Sequence, residues 1–324
     1  MDGWRYLAVF AFALVLGAPA FLVWRTAPIG CPTIDRPDRF LAFCRNGRYQ
    51  DFEHGAYALG LRPAAVAAAR HASVLVLGNS RIELALSGPA TADAFAGTGL
   101  SYYLLGFGFG ETDHFAARLI RDLGLHPTAL VIDVDPFFDG ALSEPAAFLQ
   151  DRPARAALDY RAKAAGAALF AALCPPHAAD WPCGGALALL RDDATGGWVQ
   201  AGPWPDAAQP FDPRNGKSAD PLPYVEEARR FLQPLGLPPH CVILTTVPTP
   251  QRPLDAETVR RIAEAIGASW SEPVLDGMSS FDRSHLARDS AERWSAAFLR
   301  DIMPILEDCA SPRRGMEHQG TDPS

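Results

Sequence analysis

The sequence predicts an α/β domain built on a parallel sheet, set behind one N-terminal apolar segment. Three observations lead there. Short apolar runs rich in β-branched residues recur along the chain and end in glycine or a polar loop, as strands buried on both faces do. Helical stretches separate them, so the connections are right-handed crossovers between parallel strands. Over 324 residues the chain is 48% apolar and 20% charged, near the average for globular domains, which argues against a disordered or multi-span protein. The length suits two domains or one large α/β domain with additions.

The first element is Tyr6–Trp24, an uncharged stretch between Arg5 and Arg25. It approaches the roughly 20 apolar residues needed to span a bilayer. Ala18-Pro19-Ala20 resembles a signal-cleavage site, but Phe-Leu-Val-Trp follows and prolongs the apolar run. An uncleaved signal anchor over residues 1–27 is therefore expected. The flanking charges are too balanced to set its orientation.

Residues 28–70 are expected as a juxtamembrane segment with Pro28, Pro32 and Pro37, closing in an Ala-rich helix to Arg70. The α/β domain then covers 71–309. Ser73–Leu77 is its first strand, Ile82–Phe95 is helical, and Ser101–Gly106 is the second strand. Glu111–Gly124 is a helix, with Phe115, Leu119 and Leu123 on one face and Gly124 as C-cap. Ala129–Val134 and Cys241–Val247 are strands three and four; Asp255–Ile266 is a helix, Glu272–Leu275 a short fifth strand, and Asp289–Leu306 the last helix. An insertion of about 140–222 separates strands three and four, Ala-rich and helical at first, then rich in Gly and Pro. A stretch that long with little regular structure in a compact domain is usually functional or mobile. Its Trp198 and Trp204 either stack on sugar rings or anchor the loop to the core. The polar tail 310–324 is expected to be disordered.

Lys+Arg 29 against Asp+Glu 37 gives a net charge of −8, with no basic stripe for phosphates, so no nucleic-acid partner is expected. Six cysteines behind an export-type segment suit an oxidising compartment. Many pairings are open, but spacing suggests Cys31–Cys44, Cys174–Cys183 and Cys241–Cys309; six unpaired buried thiols are the alternative. No Cys/His cluster has zinc-ligand spacing, and no metal or cofactor is expected.

In open parallel sheets ligands bind at the carboxyl ends of strands, so the residues each strand hands to its loop matter most. Strand one ends in Gly78-Asn79-Ser80-Arg81, strand two in Gly106-Phe107-Gly108-Phe109-Gly110, strand three in Asp133-Val134-Asp135-Pro136; Phe281-Asp282-Arg283-Ser284-His285-Leu286 follows strand five. A serine hydroxyl needs an adjacent base, usually His, and that His needs a carboxylate to fix its tautomer. Ser80, His285 and Asp282 are the residues that could do this.

These motifs resemble the SGNH/GDSL hydrolase superfamily over roughly residues 71–307, apart from the insertion. The likeness lies in Gly78-Asn79-Ser80, the glycine block Gly106–Gly110 and Asp282-Arg283-Ser284-His285-Leu286. The resemblance implies a flavodoxin-like three-layer fold with a parallel five-stranded sheet. It also implies Ser80 as nucleophile, His285 as base and Asp282 as its partner, with Gly110, or else Gly108, giving an oxyanion N–H. It is closest to membrane-anchored members acting on cell-surface glycans as esterases or O-acyltransferases. The expected protein is thus a single-pass bacterial inner-membrane protein, its soluble domain in the periplasm. It would handle O-acyl groups of an envelope polysaccharide, with an envelope acyltransferase complex as a candidate partner. One departure stands out: the family's oxyanion Asn after strand three is Asp135 here, and an ionised carboxylate cannot donate. Either Asp135 turns away, or it is neutral, or Asn79 or Arg81 substitutes. The contrasting expectation is an inactive member of the fold that binds glycan or scaffolds an envelope complex.

Overall fold

The computed structural model describes residues 3–33, 36–175, 180–201, 208–252 and 254–311. Trp204 and all but the start of the C-terminal tail lie outside the described residues.

The central sheet has five parallel strands: Val74–Asn79, Tyr102–Phe107, Ala129–Asp133, Val242–Thr245 and Ser269–Trp270. Their spatial order is second, first, third, fourth, fifth. Alternate side chains enter opposite cores, as the pleat requires. Leu75, Leu77, Tyr103 and Ile132 meet the helices Pro63–His71, Asp113–Leu123 and Ala256–Ile266; Val74, Val76 and Val131 meet Ser80–Leu86, Pro89–Phe95 and Arg288–Ala310. The result is helix, sheet, helix.

The helix boundaries follow local chemistry. Asp255 caps Ala256–Ile266 by accepting the Thr258 N–H at 2.8 Å, and Gly267 closes it at φ +72°. Gly124 does the same for Asp113–Leu123 at φ +62°. The single helix expected over 82–95 is instead two, Ser80–Leu86 and Pro89–Phe95. Pro89 cannot donate back into the preceding turn. The expected fifth strand at Glu272–Leu275 is also corrected. Pairing occurs at Ser269–Trp270, because Pro273 lacks an N–H for a ladder and Glu272 is buried in an ion pair with Arg252 and a hydrogen bond from Thr246.

The juxtamembrane segment and the insertion, distant in sequence, form one structure. Strands Gln50–Asp51, Arg39–Cys44, Ala188–Asp192 and Trp198–Ala201 make a four-stranded antiparallel sheet in that order. The insertion is therefore more regular than its composition suggests. It opens with helices Glu144–Asp151 and Pro153–Leu173. Trp198 is buried and donates its indole N–H to Glu53 at 2.9 Å, so it anchors rather than stacks on a ligand.

Gly3–Thr26 is a helix long and apolar enough to cross a membrane, and its apolar window is not covered by the rest of the protein. Its end meets helix Pro153–Leu173, where Gly166 lies against the backbone of Val23 and Ala27. Three disulfides close as the spacing suggests: Cys31–Cys44, Cys174–Cys183 and Cys241–Cys309, with Cα–Cα distances of 6.0, 5.5 and 5.7 Å. The bridges and the apolar helix are consistent with a membrane-attached domain outside the reducing cytoplasm.

Candidate active site

The sheet changes direction of winding at its first strand, which has the second on one side and the third on the other. Such a switch point leaves a crevice beyond the strand ends. Gly78 turns the chain there at φ +143°, and a Cβ on it would meet Asp133 Cβ and Ile82 Cγ2 at 2.9 Å. Only glycine makes this turn, and it delivers Ser80 as the first residue of Ser80–Leu86.

Asp282 and His285 arrive on a loop that folds back on itself. Phe281 N–H donates to the His285 carbonyl at 3.3 Å, Arg283 sits at φ +71°, and the Phe281 ring stacks on His285 with centroids 5.6 Å apart. Asp282 Oδ1 accepts the N–H groups of Ser284 and His285 at 2.9 and 2.8 Å. Its Oδ2 lies 2.7 Å from His285 Nδ1, and His285 Nε2 lies 2.8 Å from Ser80 Oγ. Burial works against the charge on Asp282, but His285 and the two N–H donors outweigh it and hold the carboxyl below its usual range. With Nδ1–H donating to Asp282, Nε2 is free to accept the Ser80 proton. Serine, imidazole and carboxylate thus form one continuous chain able to raise a nucleophile.

The residues expected around the oxyanion have varied places. Asn79 is engaged locally: its Oδ1 accepts the Arg81 N–H at 2.8 Å and its Nδ2 donates to the Asp135 carbonyl. Asp135 is buried and faces Arg81, whose guanidinium binds it and also donates to the Ser284 carbonyl at 3.3 Å. Arg81 therefore ties the Ser80 helix to both neighbouring loops. Burial pushes Asp135 up to about 6 against the pull of Arg81, and raises Asp133 well above the usual carboxylate range, with Asp135 adding to the rise. Asp135 spends its carboxylate on the Arg81 guanidinium rather than standing in for the family's Asn donor. Gly108 follows Phe107, which pairs in register with Asn79, but its N–H points to Glu53 at 3.4 Å. Gly110 is exposed at φ +66°, and among the described residues nothing accepts its N–H. It is the glycine-loop donor best placed to serve a ligand.

A second set of buried charges, not among the candidate site residues, supports that loop. Arg191, fully buried, donates to Glu53 at 2.6 Å, to Glu83 at 3.4 Å, and to the carbonyls of Gly106 and Leu104 at 2.9 and 2.6 Å. Its guanidinium also lies over the rings of Tyr57 and Phe107. Glu83 in turn accepts the Gly106 N–H at 3.0 Å. Burial pushes Glu83 up to about 8 and raises Glu53, both opposed by Arg191. Beside this cluster, His54 lies between Asp51 at 2.8 Å and Glu111 at 2.7 Å. Burial opposes its charge, but the two carboxylates prevail and push its pKa up to about 10. Glu111, directly after Gly110, also accepts Ser143 Oγ at 2.5 Å. The glycine loop is thus held at both ends by charges from the juxtamembrane segment and the insertion. A signal was present: Arg191 follows Ala188-Leu189-Leu190, and Glu83 sits between Ile82 and Leu84, charges set in apolar runs.

Three groups among the described residues bring possible ligand atoms within 4.8 Å of one another: Asp51–Glu53–His54, Asp113–His114–Glu227 and His240–Cys241–Cys309, the last with both its sulfurs tied up in a disulfide. In the first, both His54 nitrogens and Glu53 are committed to protein partners. In the second, burial pushes Asp113 up to about 6, opposed by His114 and reinforced by Glu227.

Comparison with protein-family models, curated proteins and solved structures finds no match to the chain.

Proposed function

We propose that the protein is a serine esterase or O-acyltransferase of the SGNH type, with a flavodoxin-like catalytic domain held at the inner membrane and facing the periplasm. The reading is carried by one observation, the hydrogen-bonded chain Ser80–His285–Asp282 at the switch point of the sheet. Ser80 Oγ attacks an ester carbonyl while His285 Nε2 takes its proton; His285 then protonates the departing alcohol, leaving an acyl group on Ser80. Water or a sugar hydroxyl resolves it. Asp282 keeps the imidazole oriented and stabilises its cation. The Gly110 N–H faces the oxyanion. The Asn usual in this family at position 135 is replaced, and Arg81 neutralises Asp135 instead. Removing one such donor typically costs about 10²–10³ in rate, so slow turnover is expected. The acceptor we propose is an envelope polysaccharide, on the strength of the anchor, the disulfides and the family likeness of the motifs.

The test is a fluorophosphonate incubated with the full-length protein in detergent. Covalent labelling that disappears in Ser80→Ala supports the enzyme. Folded protein that takes no label would leave the second reading, a non-catalytic domain that binds glycan or scaffolds an envelope complex, which the Asp135 substitution favours.

A further inference from the structure

A cavity of about 550 Å³ opens between the end of the apolar helix and the glycine loop. Leu22 and Arg25 of the helix form one side, and Phe109 of the loop another, with Arg48, Arg155 and Leu158 between them. Three features distinguish it. First, its cations are in excess. Among the described residues no carboxylate pairs with Arg25, Arg48 or Arg155, and Arg48 is held over the Trp24 ring at 4.4 Å. The acids Asp51 and Asp159 in the same lining are taken up by His54 and Lys163, which leaves Glu144 as the one acid without a cation there. Second, apolar side chains stay exposed beside these cations: Leu158 is 56% and Phe109 48% exposed. Third, Phe109 adopts φ +63° between two glycines, a left-handed conformation that a bulky residue takes at a cost. Its ring packs edge-on against Phe43 and His54, each with centroids 6.2 Å away, and turns its remaining face outward. The backbone is strained to present an aromatic to this space.

We propose that the cavity binds an anionic amphiphile from the membrane surface. Its phosphate lies among Arg25, Arg48 and Arg155, and its chain runs along Leu22, Leu158 and Phe109. The inference rests on the reading of Gly3–Thr26 as a membrane anchor, since that helix brings the cavity to the bilayer surface. The bound molecule touches the same loop that presents Gly110, three residues past the strand paired to the Ser80 turn.

The test uses the full-length protein in phosphatidylcholine vesicles with a minor fraction of phosphatidylglycerol bearing a diazirine in its acyl chain. Photolysis is expected to attach the probe to peptides spanning 106–112 and 153–163. Unlabelled phosphatidylglycerol competes and phosphatidylcholine does not. Arg48→Gln and Arg155→Gln each lower that yield about fivefold, which is what about 1 kcal/mol per cation near an anionic surface corresponds to. Attachment confined to 3–26, equal attachment from a phosphatidylcholine probe, or yields indifferent to both substitutions would overturn the proposal. Fluorophosphonate labelling of Ser80 is read on the same samples. Labelling without cavity attachment refutes the amphiphile site alone; cavity attachment without labelling refutes the Ser80 reading alone.

Discussion

His54 is sealed from solvent with a carboxylate on each ring nitrogen, and it remains protonated up to a pH of about 10. In the unfolded chain a histidine titrates near 6.5. Its folded pKa is raised, so the stability it contributes is complete below about pH 6.5 and is lost as pH rises toward 10. Across that window the native state holds a proton that the unfolded chain has released. At 1.36 kcal/mol per pKa unit the full loss is about 5 kcal/mol, of which about 2 kcal/mol falls between pH 8 and 10. Glu83, which titrates at about 8, and the buried tyrosines, whose hydroxyl pKa values burial raises, also weaken the fold as pH rises through this window, so His54 is read as the difference between wild type and a variant that lacks it. The assay is urea unfolding of the full-length protein at pH values from 6 to 10, followed by tryptophan fluorescence, to which the buried Trp198 and Trp294 contribute. In His54→Gln, Asp51 and Glu111 lose their cation, so the variant is weaker at neutral pH but loses about 2 kcal/mol less than wild type between 8 and 10. Parallel wild-type and variant curves over that upper range would refute a charged His54.

Replacing Arg191 by Met leaves Glu53 and Glu83 buried without a cation and is expected to cost about 3–5 kcal/mol in urea unfolding at pH 8. The deficit shrinks toward pH 5, where both carboxyls take up protons, since groups with raised folded pKa values favour the native state at low pH. Asp282→Asn keeps the loop's size but presents His285 in the wrong tautomer. Fluorophosphonate labelling of Ser80 should slow by up to about 10⁴, with the circular dichroism spectrum unchanged. Removing the Cys241–Cys309 bridge with a double Ser substitution frees a 68-residue separation, and a loss of about 4 kcal/mol is expected from the chain-entropy relation, read as the shift in urea midpoint.

What could be read from the sequence was whatever is local. Buried parallel strands such as Val74–Asn79 announce themselves as short β-branched runs, and Gly124 and Gly267 mark helix ends because only glycine takes φ near +60° there at no cost. Asp282 and His285 are three apart, so one turn of chain could bring them together, and Ser80 follows a glycine that the backbone requires. The fifth strand was misplaced by three residues because the apolar tone of 272–275 hid two local vetoes, Pro273 and the buried Glu272. The second sheet was not legible at all. Its pairing of Arg39 with Asp192 and of Cys44 with Ala188 spans more than a hundred residues, and neither partner carries a pattern that specifies the other.

The same long-range pairing explains why the glycine loop can be both permissive and fixed. Glycines at 106, 108 and 110 give the backbone access to a ligand, but each also loses more conformational entropy on ordering than any other residue. Side chains from the α/β domain alone provide little to hold such a loop: Glu83 reaches Gly106, and no other strand end supplies a charge to it among the described residues. The remaining ties are Glu53 on Gly108, Arg191 on the Gly106 carbonyl, and His54 on Glu111. Glu53 and His54 stand immediately after the strand Gln50–Asp51, and Arg191 lies in Ala188–Asp192, two strands joined through Arg39–Cys44. The juxtamembrane segment and the insertion are therefore structural parts of the site rather than appendages to it. A substitution at Glu53 or His54, far from Ser80 in sequence, is expected to loosen the glycine loop that carries Gly110.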